Sequence, residues 1–418
     1  MHAVEKILAR ASGKREVKPG EILTCLIDLA EINDLYLQVI KSFYEMGGKR
    51  VFDPESVVFV FDHYAPAPTI KAAENQKLMR VFAIEQKINH IFDINTGVCH
   101  QVMPEAGLVY PGMLLVATDS HTTTHGAFGA FGTGVGATDL ACILLSGELW
   151  LRVPEVISIH LSGTPDLAIT AKDMMLYILK QMGTDGAVYK AVEFCGPVVK
   201  KMRISERMVL CNMAVEMGAK TAYIQPDDVT VSYLQEKGAS IDKNKLYQTD
   251  SDYNYYESYY FDFSELQPQV ATPHSVDQSV SVSELMRTKV DQVFIGSCTG
   301  GRADDIEWAA RLLKGKKVAD NTRLIITPAS RDVYLEALNK GYLEILVNAG
   351  AIFNPPGCGP CLGAHQGVLA PDEVCVSTTN RNFPGRMGSS SSSIFLTSSA
   401  TAAATALNGV ISDPRDYF

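Results

Sequence analysis

Short runs of apolar and β-branched residues recur along the chain, separated by longer stretches with helical spacing. They read SVVFVF at 56–61, MLLVAT at 113–118, VISIHL at 156–161, DQVFIG at 291–296, RLIITP at 323–328 and EVCVST at 373–378. Such runs, bounded by polar or Gly and Pro positions, predict buried strands, and the stretches from Pro68 to Lys87 and from Asp304 to Leu313 predict helices. Strands alternating with helices in this way predict an α/β protein with mainly parallel sheets.

Most of these runs end directly in residues capable of chemistry. FVF runs into Asp62 and His63, LLVAT into Asp119, Ser120 and His121, VFIG into Ser297, Cys298 and Thr299, and VCVST toward Asn380 and Arg381. Ligands of open parallel sheets bind beyond the carboxyl ends of the strands, so these endings predict one composite site. Domain boundaries are expected near 153, where Pro154 breaks the pattern, and near 270, within a polar, Tyr-rich stretch at 247–278 that has no helical period. The expected division is 1–153, 154–270 and 271–418. No internal repeat is visible, and the serine run from Ser389 to Ser393 is expected to form a loop and helix cap.

Composition narrows the function. At 418 residues the chain exceeds one ordinary core, given domains of about 100–200 residues. It is 46% hydrophobic and 20% charged, and no apolar run approaches the roughly 18 residues of a membrane span. The N-terminus mixes charges into its first helix without the apolar core of a secretory signal, so a cytoplasmic location is expected. A net charge of −10 without a basic run argues against nucleic acid. Arg381 and Arg386, in the loop NRNFPGR, suit a small anionic ligand instead.

Nine cysteines in so long a chain are not a disulfide framework. Cys25, Cys99, Cys142, Cys195, Cys211 and Cys375 lie in apolar or mixed contexts and are expected to be inert core thiols. Cys298, Cys358 and Cys361 are surrounded by Gly, Pro, Ser and Thr. The C-x-x-C in NPPGCGPCLGAH sits late in the chain after a Pro-Pro-Gly turn, unlike a thioredoxin-type redox pair. Two readings stay open on spacing alone. One is a zinc site of Cys298, Cys358, Cys361 and His365. The other is an iron-sulfur cluster on the same three thiolates, with one iron left free to act as a Lewis acid.

The motifs GSCTGGR, NPPGCGPCLGAH and NRNFPGRMGS, in that order, accompany FDH at 61–63, GVCHQVMPEAGLVYPG at 97–112 and TDSHTTTHGAFGAFGTGVGATD at 118–139. Together they resemble the aconitase family over nearly the whole chain, most nearly its two-subunit members that act on isopropylmalate and homoaconitate. The resemblance implies three α/β domains around a cluster-containing cleft. It implies a 4Fe-4S cluster on Cys298, Cys358 and Cys361 with one iron not ligated by cysteine, which demotes His365 to a supporting residue. It assigns acid pairs of Asp62 with His63, Asp119 with His100, and Glu193 with His121, with His63 expected to protonate the leaving hydroxyl. Arg381 and Arg386 are expected to hold substrate carboxylates, while Asn380 and Ser120 match positions that bond the cluster and the substrate. The base, a serine on a swivelling domain, is expected on a small partner subunit, so this chain should be inactive alone. His2, His90, His125, His160 and His274 are expected to be structural.

Three positions depart from the family pattern. Gly300 stands where an Asn is usual, the segment EINDLYLQ puts Asn33 and a bulky Leu-Tyr where small or hydroxylated residues are expected, and SSSSSIFLTSS replaces a small-apolar stretch. The expected activity is therefore a hydro-lyase acting on a substituted malate, isopropylmalate first, then homoaconitate or a 2,3-dimethylmalate-type acid. A non-catalytic cluster- or zinc-bearing sensor is the alternative of another class.

Overall fold

The computed structural model describes residues 1–417. All six predicted runs are strands: Val57–Val60, Leu114–Ala117, Val156–Ser162, Gln292–Gly296, Arg323–Thr327 and Val374–Ser377. They belong to three sheets. The first has the order His90–Phe92, Val57–Val60, Leu29–Asn33, Leu114–Ala117, Phe131–Gly134, and every pairing in it is parallel. The second runs Thr221–Tyr223, Ala191–Cys195, Val156–Ser162, Glu257–Asp262, again all parallel. The third has seven strands, parallel from Ser393–Leu396 through Val374–Ser377, Gln292–Gly296 and Arg323–Thr327 to Ile352–Phe353, with Gln269–Ala271 and Ser279–Ser281 added antiparallel at one edge. An antiparallel ribbon of Ile22–Leu26 with Glu148–Arg152 completes an α/β architecture of mainly parallel sheets. Among the described residues no helix is long and apolar enough to cross a membrane.

Each sheet draws its strands from one continuous stretch of chain, but the interior does not stop at the sheets. One apolar cluster takes Val58 and Leu115 from the first sheet, Ile157 and Val192 from the second, and Phe294 and Cys375 from the third. Residue 270 lies inside the strand Gln269–Ala271, so the third sheet begins slightly before the expected boundary.

The Tyr-rich stretch is partly a strand. Glu257–Asp262 is an edge strand whose side chains are exposed or half-buried, and an edge that faces solvent needs no apolar run. The helix expected from Pro68 to Lys87 is Ile70–Gln86; Thr69 accepts a hydrogen bond from the Ala72 N–H at 3.1 Å, and Lys87 ends it in the left-handed region. The serine run forms a turn and the start of a strand, whereas the following helix Ser399–Asn408 is capped by Ser398. Cys142 lies exposed on the helix Ala137–Ser146 and is not a core thiol.

The second sheet's helices are pinned by one buried cation. Arg207, on the helix Ile204–Met213, is fully buried; both its terminal nitrogens donate to Asp227 at 2.7 Å and its Nε donates to the Met202 carbonyl. Asp227 is partly exposed, so the two partners are not equivalent. Asp227→Asn keeps the helix cap but leaves a buried guanidinium without its anion, and it is expected to cost about 2 kcal/mol in urea unfolding. Arg207→Met, which leaves only a hydrated carboxylate behind, is expected to cost less.

Candidate active site

The first sheet places its chemistry by strand adjacency. Leu29–Asn33 lies between Val57–Val60 and Leu114–Ala117, so Asp34, Asp62 and Asp119 leave neighbouring strands at the same end. Asp34 accepts the backbone N–H groups of His63 and Tyr64 at 2.9 and 2.8 Å, which fixes the turn carrying Asp62 and His63. Within that turn His63 Nδ1 donates to Asp62 Oδ1 at 2.6 Å, and Asp62 Oδ2 accepts the Cys99 N–H at 2.9 Å. Asp62 is therefore saturated and holds one tautomer of His63, with Nε2 directed outward.

Asp119 caps a 3-10 helix, Ser120–Phe128, and gathers the histidines. Its Oδ1 accepts from the His121 N–H at 2.7 Å and from His100 Nε2 at 3.1 Å, and His63 Nε2 lies 3.5 Å from its Oδ2. Burial pushes the Asp119 carboxyl up, but His100, His121 and His63 outweigh it and hold the group well below the usual carboxylate range. Conversely, burial pulls His63 down, yet Asp62 and Asp119 hold its imidazolium well above an ordinary histidine. Glu31, fully buried on the strand beneath, is pushed well up by burial and by the charges of Asp62 and Asp119. His125 is likewise driven far down by burial and by His100, and its neutral ring packs edge-on to His100.

The partner of His121 is Glu216, not Glu193. His121 Nε2 and Glu216 Oε1 are 2.7 Å apart, and Arg381 Nε donates to the same carboxylate at 2.9 and 3.0 Å. Burial raises Glu216, but His121 and Arg381 together keep it low and ionised. Glu193 sits on the strand Ala191–Cys195, fully buried, and receives His2 at 2.8 Å, the Tyr255 hydroxyl at 2.6 Å and the Gln225 amide at 2.5 Å. Its two oxygens are taken by groups outside the cleft, and His2 also caps the first helix. The signal for Glu216 was present at 208–219, MVLCNMAVEMGA, where Asn212 and Glu216 are the only strongly polar side chains in an apolar run. A lone polar residue in such a run must be buried with a partner.

Asn212 is that case for the thiols. Its Nδ2 lies 3.2 Å from Cys298 Sγ, and Asn380 Nδ2 lies 3.4 Å from the same sulfur. Arg386 donates to Cys361 Sγ at 3.5 Å, and the Cys358 N–H donates to the Asp62 carbonyl at 2.9 Å. Cys298, Cys358 and Cys361 are all buried and unbridged. Burial pushes Cys298 up to about 12 and Cys358 higher still, so neither thiol ionises near neutral pH without a cation. Cys298 and Cys361 thus receive N–H donors, and amide and guanidinium groups aimed at buried sulfurs fit a metal-bound thiolate set. His365 donates Nε2–H to the His63 carbonyl at 2.7 Å, supporting that turn, so this nitrogen is not available as a zinc ligand.

His63, Asp119, Ser120, His121, Arg381 and Arg386 line a cavity of about 680 Å³. Asp62, His100 and Cys361 are bonded to residues of that lining, whereas Glu193 is placed elsewhere. The family model for aconitase (aconitate hydratase) matches residues 5–289 and 283–409. The chain belongs to the aconitase family. Similar relatives include a 3-isopropylmalate dehydratase large subunit of Methanopyrus kandleri, 49% identical over 99% of this chain and 98% of that one. A probable methanogen homoaconitase large subunit of Methanothermobacter thermautotrophicus is 48% identical over 99% and 98%. In shape the chain is similar to the holo-form of aconitase X from Thermococcus kodakaraensis, with a TM-score of 0.50 at 14% identity over 91% and 89% of the two chains, a likeness of fold. Aconitase-family membership makes the protein a hydro-lyase and implies an iron-sulfur cluster, for which the three buried thiols are the fitting donors.

The Gly300 departure from the aconitase pattern has a steric cause. A side chain there would overlap Thr378, whose hydroxyl accepts from the Gly296 N–H at 2.9 Å and reaches back toward the Gly296 carbonyl at 3.1 Å. Gly300→Ala is expected to cost about 1–3 kcal/mol, and adding Thr378→Ala should recover part of it in a double-mutant cycle. Glu216→Gln removes a charge-assisted bond worth about 1.5–3 kcal/mol, so turnover should fall about ten-fold or more. Glu193→Gln should leave turnover unchanged and act on stability. His2, Tyr255 and Gln225 overcome burial to hold Glu193 below its ordinary 4.5, so its contribution is present above that value and lost as pH falls through the lower folded value. Acid unfolding of Glu193→Gln should accordingly be less steep below about pH 4.5.

Proposed function

We propose that the chain is the large, catalytic subunit of a two-subunit hydro-lyase that dehydrates and rehydrates a substituted malate, with 3-isopropylmalate and 2-isopropylmalate as the first candidate pair. The observation that carries this reading is the Asp119 carboxylate, which gathers three histidines on one wall of a cavity whose other wall presents Arg381 and Arg386. The segments 1–153, 154–270 and 271–418 are read as three domains around that cleft.

Elimination of water from a 2-hydroxy acid needs a proton for the departing hydroxyl, a base at the neighbouring carbon and anchors for the carboxylates. His63 is poised as the acid, because Asp62 holds Nδ1 and leaves the protonated Nε2 toward the cavity at a long 3.5 Å from Asp119. His100 and His121, fixed by Asp119 and Glu216, orient the hydroxyl and the returning water. Arg381 spends Nε on Glu216 and keeps its terminal nitrogens for a carboxylate, while Arg386 offers the second guanidinium. A 4Fe-4S cluster on Cys298, Cys358 and Cys361, with one iron free of cysteine, would supply a Lewis acid for the hydroxyl. The base is assigned to a serine on a small partner subunit, in keeping with relatives named large subunits.

Leu35 and Tyr36 bring apolar surface to the cavity and favour a branched alkyl substituent. Lys220, on the wall as well, is the observation that favours homoaconitate, whose further carboxylate it can take. Anaerobic reconstitution should give a brown protein with broad visible absorbance, and a colourless zinc-loaded protein would contradict the cluster. Assayed on a panel of substituted malates for the conjugated alkene, the chain should be silent alone and active with its small partner. Turnover by the chain alone would refute the two-subunit reading; silence on every acid with the partner present would favour a sensor.

A further inference from the structure

The helix Cys99–Glu105 carries His100 yet has little of its own to hold it in place. It is seven residues long, Val98 gives it no side-chain cap, and Pro104 lies inside it. A helix of about two turns is marginal by itself, and Pro104 has no N–H to return to the His100 carbonyl. Its position must come from outside. One tie is the Asp62 carboxylate on the Cys99 N–H, and the others lead to the third sheet.

Val98 donates its N–H to the Ala329 carbonyl at 2.8 Å, Arg331 donates to the Thr96 carbonyl at 2.8 Å, and Ala329 donates to the Gly301 carbonyl at 2.7 Å. Gly97 faces Ser330 in this short antiparallel pairing, where a Cβ would stand 2.3 Å from the Ala329 oxygen. These main-chain bonds hold residues 96–98, ahead of the helix, and leave its rotation about its own axis open. Side chains fix that rotation. Arg302, 3% exposed, donates from Nε to Gln101 Oε1 at 3.1 Å, and Gln101 donates from Nε2 to Glu105 Oε1 at 2.7 Å. Ser330 donates its hydroxyl to the same Glu105 oxygen at 2.9 Å. Gln101 and Glu105 are four apart and share one helix face, with His100 about 100° round the axis from Gln101. A clamp on that face sets the direction in which His100 leaves the helix. Arg302 ends the motif GSCTGGR that begins the helix after Cys298, and its two terminal nitrogens have no hydrogen-bond partner among the described residues. The Gln101 bond is therefore the one that orients the guanidinium.

We propose that Arg302 is a positioning residue for His100: through Gln101 and Glu105 it registers the helix Cys99–Glu105 against the loop that carries Cys298. Its consequence for turnover rests on the hydro-lyase reading above, in which His100 orients the substrate hydroxyl. A rotated helix leaves Arg381 and Arg386 free to bind the carboxylates but presents the imidazole off line, so the loss falls on kcat and not on KM.

The variants are Arg302→Met, Gln101→Leu and the two together, with Arg302→Lys keeping a donor one atom farther along the side chain. Amide hydrogen exchange over residues 97–108 of the full-length chain reads the clamp directly, and reconstituted chains with the small partner give KM and kcat per iron. Expected are faster exchange in both single variants, kcat per iron lower by about ten-fold with KM changed by less than about two-fold, and recovery of most of the loss in Arg302→Lys. The double variant should be no slower than the worse single, because both break one relay. A loss equal to the product of the singles, about a hundred-fold, overturns the relay. Wild-type exchange and turnover in Arg302→Met overturn it as well, as does lost iron or a lower melting temperature with kcat per iron unchanged, the mark of a purely structural arginine. Should Arg302→Met not fold, Gln101→Leu carries the same test, and wild-type values there overturn the proposal. A wild-type complex silent on every substituted malate defeats the hydro-lyase reading, while the exchange measurement still decides whether Arg302 holds the helix.

Discussion

The cleft depends on one carboxylate with little exposure to solvent. Asp119 accepts from a backbone N–H and from histidines borne by three separate segments, and this convergence is what keeps it ionised in a place where burial alone would neutralise it. The dependence is mutual. Without the Asp119 charge His63 would lose part of what holds its proton, and His100 would lose its fixed orientation. The sheet makes the convergence cheap, since parallel neighbours must end on the same side and the connections after them already lie within reach of one another.

A second chain of charge ties the whole molecule to that hub. His121 from the first sheet, Glu216 from the helical segment beside the second and Arg381 from the loop of the third form one hydrogen-bonded series. Asn212 repeats the pattern beside the thiols. The middle stretch supplies Glu216, the carboxylate partner of His121, and Asn212, whose amide reaches Cys298, so it holds side chains that follow strands of the first and third sheets.

Much of this was legible because apolar runs ending in polar chemistry are a direct imprint of parallel strands. Four of the strands that escaped notice lack that imprint. LAEIN carries a buried Glu31, AVEFC a buried Glu193, TAY is three residues long, and ESYYFD is a solvent-facing edge. Glu193 shows where pairing by resemblance fails. A buried acid on a strand looks the same whether it serves a catalytic histidine or the N-terminal His2, and only the fold tells which imidazole reaches it. Glu216 carried a stronger signal, an acid isolated among Met, Val and Ala, and physical necessity alone would have demanded a buried partner for it.

Gly300 shows the complementary point about departures from a pattern. Read in one place, the missing side-chain amide is a loss beside a ligand thiol. Read in space, it belongs to a pair, because Thr378 from a strand 78 residues away occupies the volume and bonds the Gly296 backbone on both its N–H and C=O. The amide function is not lost either, since Asn212 and Asn380 both present Nδ2 to Cys298. In this chain Thr378 fills the volume beside Gly300, and the donors on the sulfur come from Asn212 and Asn380. The departure at Leu35 and Tyr36 differs in kind, because those residues line the cavity itself.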